Sequence, residues 1–466
     1  MPRKLPRNGI AIACLSLAAL LAAGCGSSMS NPSTSSSSDT PTGQAFVVGT
    51  DAPAASVVSF SVQLESIDAV DSSGNNVPLI SGTPTVDFAR YNGLQTLLDL
   101  NDVPVGTYNS VTITLGTATI GYLNTSTGAA PSIQTETATL TNSTVSITLK
   151  NPLVIAKSTS MGLRVDFDLR QSIQTDSNGQ ITGTVNPTFD VSVVHPGDAG
   201  GYIDEFVGGV VSVNAAGQSF VIQGPHGRQL TVSVNGQTEW DNNESINDLT
   251  TSSIVQISGT IDNAESTIDA DEVAILSQNG FYAGGQITYV QPSSGAATSF
   301  DLYVRGLEPT TTGLTLGQIA TVDLSGNEKY FIYWMHNPLT EFLFNSSSLV
   351  AGQHVSIGGP ASGAANASAV TTNRVVLKHW GFNGTVVAGS VNASQGTFQM
   401  NINGFAGVLV PTPVTVYVGD HCGYRYGFGQ FTDITGGANV RVVGLLLKNP
   451  TSGQLVLLAR YVDSMS

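Results

Sequence analysis

Period-two alternation recurs along this chain and limits what it can fold into. Val58, Phe60, Val62 and Leu64 alternate with mostly polar residues. So do Val111, Ile113 and Leu115, then Val145, Ile147 and Leu149, then Leu163, Val165, Phe167 and Leu169, and finally Phe189, Val191 and Val193. Successive side chains of a strand point to opposite faces, so each run sets one face on a core and the other in water. Turn-forming clusters separate the runs: Ser73-Gly74-Asn75, Pro104-Val105-Gly106 and Ser177-Asn178-Gly179. Short strands at this spacing predict an antiparallel β-sandwich over 45–194, and no segment there sustains a helical period.

His195 to Gly201 is dense in turn residues and reads as a linker. Three imperfect repeats follow. Each opens with a glycine beside a β-branched residue, in Gly209-Val210-Val211, Gly285-Gln286-Ile287 and Gly384-Thr385-Val386. A Phe-led strand comes next: Phe220-Val221-Ile222, Phe300-Asp301-Leu302 or Phe398-Gln399-Met400. Later comes a strand ending on glycine, in Ile257-Ser258-Gly259, Ile357-Gly358-Gly359 and Val442-Val443-Gly444. A last apolar strand closes each repeat, with Val273 and Ile275, Val375 and Leu377, or Leu455 and Leu457. The repeats differ most in their middles, where loops tolerate insertion.

Two resemblances add to this. Residues 45–194 resemble a bacterial domain family of unknown function through Gly49-Thr50-Asp51-Ala52-Pro53, Val103-Pro104-Val105-Gly106-Thr107-Tyr108 and Arg164-Val165-Asp166-Phe167-Asp168-Leu169. The middle segment also resembles the strand opening of prealbumin-like sandwiches. The repeats resemble a second bacterial family of unknown function, a small β-barrel with an oligonucleotide/oligosaccharide-binding-like strand order. Together these imply an all-β chain: a prealbumin/immunoglobulin-like sandwich, then three barrel-like repeats at 203–279, 282–379 (divergent) and 381–466. They imply no reaction.

The N-terminus carries an address. Arg3, Lys4 and Arg7 precede an apolar run from Ile10 to Ala23 broken only by Ser16. A bilayer span needs about 20 residues, so the run matches a secretory signal instead. It closes on Leu21-Ala22-Ala23-Gly24-Cys25, which resembles the lipobox of bacterial lipoproteins, with Ala22 where that family usually has Leu. The resemblance implies removal of residues 1–24 and lipid on Cys25. Gly26, rather than Asp, then points to the outer membrane, facing periplasm or exterior. Ordinary cleavage near Ala23 is the alternative. Residues 25–44, rich in Ser, Thr and Pro, read as a disordered tether spanning roughly 20–25 Å.

The formal net charge is −16, and the signal segment removes only basic residues. That balance excludes nucleic-acid binding through phosphates. Of three cysteines, Cys14 leaves with the signal and Cys25 is the lipid site. Cys422 is then alone, so the mature chain has no intrachain disulfide and must rely on packing; Cys422 itself reads as a small buried residue.

Catalytic motifs are missing from the sequence: no nucleophile elbow, no His-Glu-x-x-His, no Cys-x-x-Cys and no phosphate-cradling glycine loop. The histidines at 195, 226, 336, 354, 379 and 421 are scattered singly. Asp166 and Asp168 share a strand face, but with Arg164 and Arg170, which favours ion pairs over a cation site. Asp51 reads as a turn acceptor, and Asp241-Asn242-Asn243-Glu244 as a polar loop. No catalytic residue, metal or cofactor is expected. The aromatics Tyr330, Phe331, Tyr333, Trp334, His336, Phe342 and Phe344 crowd the second repeat. Tyr424, Tyr426 and Phe428 alternate in the third. Either they pack a core, or Tyr330, Tyr333, Trp334, Tyr424, Tyr426 and Phe428 form a platform for a sugar or peptide. The expectation is a membrane-anchored, non-enzymatic binding or adhesion lipoprotein for glycan or surface protein. A structural spacer and a polysaccharide-acting enzyme are the alternatives.

Overall fold

Alternation becomes a two-sheet sandwich, as the sequence predicts. The computed structural model describes residues 41–465 except 53–56, 125–131, 224–228, 263–266, 279, 310–312, 335–337 and 366–368. Cys25, the signal segment, most of the tether, His226 and His336 lie outside the described residues. The chain is all-β. One sheet has the order Phe189–Val194, Ser160–Asp168, Thr42–Ala52, Thr96–Pro104. The other is built on the long antiparallel pair Val57–Asp71 and Gly106–Asn124. Phe60 and Phe167, from facing sheets, meet edge to face at 5.0 Å, and Phe167 stacks on Phe189 at 4.4 Å. Tyr108 begins its strand by donating its hydroxyl to the Pro104 carbonyl at 2.8 Å. Two pairings depart from a purely antiparallel sandwich: Thr42–Ala52 runs parallel to Ser160–Asp168, and Ile181–Val185 runs parallel to Ser132–Leu140.

Three barrels follow. The first comprises Ile203–Asn214, Ser219–Gln223, Gln229–Ser233, Ile254–Ile261 and Thr267–Ser277. The third comprises Trp380–Val386, Thr397–Ile402, Val414–Arg425, Asn439–Lys448 and Leu455–Ser464. In both, the ring order is first, second, third, fifth, fourth, with the third and fifth strands parallel, the arrangement expected of an oligonucleotide/oligosaccharide-binding-like barrel. In the second, made of Phe281–Gln291, Ser299–Glu308, Ile319–Asp323 and His354–Gly359, the fifth strand is split. Ala369–Thr371 pairs with the third strand and Arg374–Lys378 with the fourth. Gly259 and Gly444, expected at strand ends, lie inside the fourth strands Ile254–Ile261 and Asn439–Lys448, and have a steric reason. Each sits at a register break, and a Cβ on Gly259 or Gly444 would lie 2.1 or 2.2 Å from a carbonyl oxygen of the neighbouring strand.

Residues Thr40–Ser466 form one compact unit, and the cores explain why. Ala45 and Val47 face the sandwich core, whereas Phe46 and Val48, on the opposite face of the same strand, join the core of the first barrel. Leu445, Leu447, Val456 and Leu458 belong to third-barrel strands yet complete the core of the second barrel. Strands buried on both faces hold the four modules together. The segment at 195–201 is also pinned: the Gln95 side chain donates to the carbonyls of Ala199 and Tyr202 at 2.9 and 3.3 Å.

Candidate functional site

Each barrel adds a short piece of strand beside the far half of its fifth strand. Glu239–Trp240 runs parallel to Thr267–Ser277, and Lys329–Ile332 parallel to Arg374–Lys378. In the third barrel, Val414–Arg425 resumes after a register break and pairs Gly423 to Arg425 with Tyr461 to Asp463. These additions come from the variable middles of the repeats. They frame a pocket of about 290 Å³ where the three barrels meet.

The pocket's base is Glu272 of the first barrel and Trp334 of the second, both buried. Tyr202, Glu239, Arg460 and Tyr461 form half-buried walls, and Gln237, Asp271 and His421 lie exposed at the mouth. Arg460 Nη1 lies 3.4 Å from Glu272 Oε2. Burial raises the pKa of Asp271, and that of the Tyr202 phenol, against the pull of Arg460. The lining therefore carries three carboxyls, Glu239, Asp271 and Glu272, against one guanidinium, with three aromatic side chains between them. Trp334 is held at φ 142°, a conformation that a side chain of this size adopts only under constraint from its surroundings. Behind it, Asp241 is fully buried, and burial followed by the nearby Glu272 raises its pKa well above the carboxylate range.

A second polar centre lies deeper, where all four modules meet. Glu205 of the first barrel pairs with both Arg90 of the sandwich and Lys378 of the second barrel. Burial pushes the Glu205 carboxyl up, but the two cations outweigh it and hold the pKa well below the usual range. Arg305 pairs with Asp87 at 2.9 Å and lies 4.6 Å from the Trp380 ring centroid. His354 stacks on Trp380 at 4.8 Å and is kept neutral, first by burial and then by Lys378. A larger cleft of about 570 Å³ opens beside this centre.

The structure separates the six residues of the expected aromatic platform. Trp334 alone among them lines the three-barrel pocket. Tyr333 is buried, with its hydroxyl on Ser258 of the first barrel. Tyr330 packs edge to face on Phe344 at 5.8 Å, and its phenol is pushed up to about 12 by burial. Tyr424 and Phe428 lie half-buried against the third barrel's core. Tyr426 is 54% exposed and falls just past the strand, at φ 53°, with Arg425 and Arg441 over its ring at 5.7 and 5.6 Å. The strand ends at Arg425, so the alternation from 424 to 428 does not continue along one strand face.

Other expected positions resolve as follows. Asp51 is not in a turn: it lies in strand Thr42–Ala52, 1% exposed, and neither carboxylate oxygen has a hydrogen-bond partner. Arg164 pairs with Asp166 at 2.8 Å, and Asp168 caps the helix Leu169–Ser172 by accepting from Gln171 N at 2.9 Å. Glu244 takes a two-pronged contact from Arg374 at 3.0 and 2.9 Å. The Cys422 thiol is half-buried, and its pKa is pushed up to about 12 by burial. Most of the pocket's residues belong to no motif in the sequence. A signal exists: Asp269, Asp271 and Glu272, and later Arg460-Tyr461, place polar groups inside otherwise apolar fifth strands.

Residues 42–182 match the family described as Domain of unknown function (DUF4382), which covers most of the sandwich. None of the curated proteins matches the chain.

Proposed function

We propose that this chain is an extracytoplasmic lipoprotein, anchored by lipid on Cys25, that binds a neutral or amino sugar of a glycan without transforming it. The observation that carries the reading is the pocket where the three barrels meet: Tyr202, Trp334 and Tyr461 offer aromatic surface, and three carboxyls outnumber Arg460. Aromatic faces stack on the apolar faces of sugar rings, carboxylates accept their hydroxyl hydrogens, and an ammonium gains from both. The acid excess disfavours acidic glycans and nucleic acid. A volume of about 290 Å³ sits at the lower edge of small-molecule sites, about 300–1,000 Å³, which suits a single ring rather than a long chain. The modules gather about a shared centre instead of lying end to end, which supports binding over a spacer role. In this reading attachment is through the lipid; among the described residues no helix is long and apolar enough to cross a membrane.

The enzymatic alternative draws on the same carboxyls, because Glu239 and Glu272 are opposite each other on paired strands. Glu272, however, is tied to Arg460, and Asp241 is fully buried. A glycan array probed with the full chain tests the proposal. Binding confined to neutral and amino sugars supports it, and no binding across a broad array removes it. New reducing ends on a bound glycan would favour the enzyme.

A further inference from the structure

The cleft of about 570 Å³ differs from the sugar pocket in place and in chemistry. It opens between the sandwich, the first barrel and the second barrel. Its lining mixes matched charges with apolar side chains: Leu97, Leu98, Phe206 and Leu314 back it from the module cores, and Val207 of the first barrel and Leu316 of the second give it open apolar surface. Leu316 stands 45% exposed. The strongest charges in the cleft are already matched, Arg90 with Glu205 and Arg305 with Asp87, and all four side chains are buried. An ionic ligand would have to break one of these pairs and strand the other member in low dielectric. Glu308, also in the wall, is pushed toward its neutral form by burial. Thr96 and Tyr282 also line the cleft, and the Tyr282 hydroxyl accepts from Arg90 Nη2 at 3.1 Å, which leaves its own hydrogen to donate. The volume falls inside the range of small-molecule sites, and a pocket of this make-up selects an apolar body with one polar, uncharged end.

We propose that this cleft binds an uncharged lipid-like molecule, an aliphatic chain ending in a hydroxyl or carbonyl. The site is independent of the sugar pocket and takes a different ligand class. The test uses the mature chain, expressed without residues 1–24 and carrying Cys25→Ala, so that neither apolar signal, lipid nor detergent contributes. Nile red, a neutral apolar dye, is titrated by fluorescence and then displaced with dodecanol, dodecanoate or dodecylammonium. The expected result is saturable one-to-one binding, displacement by dodecanol, and at least tenfold weaker displacement by either charged analogue. Val207→Trp and Leu316→Trp, which fill the cleft, lower dye affinity at least fivefold, whereas Glu239→Gln in the sugar pocket leaves it unchanged. If Val207→Trp fails to fold, the exposed Leu316→Trp still decides. Unsaturable binding, equal displacement by the charged analogues, or wild-type dye affinity in Leu316→Trp would overturn the proposal.

Discussion

Arg305 of the second barrel and Asp87 of the sandwich form an ion pair at 2.9 Å with both side chains almost wholly buried. Asp87 also accepts the Phe60 backbone N–H at 2.9 Å, so the carboxylate is fixed within its own module before the cation arrives. Two charges have left water to meet across a module boundary. Removing one partner leaves the other uncompensated, which costs about 3–5 kcal/mol. Arg305→Met should therefore lower the free energy of unfolding in urea by that amount, and Asp87→Asn in the same chain should restore much of it. Equal losses in the single and double variants would mean that the pair contributes through packing alone.

Leu458 offers a second test of module coupling. It lies in a third-barrel strand, but its side chain completes the core of the second barrel. Leu458→Ala leaves a cavity that two modules share, at a cost of about 2–5 kcal/mol. Calorimetry should show one transition for residues 40–466, shifted down as a whole. A shift confined to one of several separate transitions would show that the barrels unfold independently.

The same residue shows what the sequence holds. Alternation reveals the sandwich strands because each wets one face. The unbroken runs Ala45-Phe46-Val47-Val48, Val375-Val376-Leu377, Leu445-Leu446-Leu447 and Leu455 to Ala459 bury both faces, and they mark where modules join. That signal is legible but calls for a different template from alternation. The three-barrel pocket is far less legible. Its residues run from Tyr202 to Tyr461, in three barrels, and no spacing relates them. Trp334 stands out as an aromatic residue, yet aromatic crowding alone does not separate it from Tyr333, its buried neighbour.

His354 sets a pH dependence. Its folded pKa lies well below the ordinary value, chiefly through burial and then Lys378. The unfolded chain takes up this proton near pH 6.5, and the folded chain refuses it. Stability is therefore full above that pH and falls as pH drops, by up to about 1.4 kcal/mol per unit. His354→Phe keeps a ring on Trp380 and removes the titration. Between pH 7 and pH 5 it should lose about 2 kcal/mol less than wild type in urea denaturation. Parallel losses would contradict the assignment.

Asp51 works in the opposite sense. Burial and then the nearby Asp166 raise its pKa well above the carboxylate range. The folded state thus holds a proton that the unfolded state releases above about pH 4. The group's burden grows as pH rises toward the folded pKa. Asp51→Asn cannot ionise, so its melting temperature should gain on wild type from pH 5 to pH 8. A difference that does not change with pH would show that Asp51 does not titrate differently on folding.

We propose that three barrels together build a sugar seat that none holds alone. The most direct measurement is calorimetric titration of the full chain with the sugars it selects, beside Glu239→Gln from the first barrel and Tyr461→Ala from the third. Each substitution should weaken binding about tenfold or more, roughly 1.4 kcal/mol, with the melting temperature little changed. Undiminished affinity in both variants, or a preference for acidic over neutral and amino sugars, would contradict it.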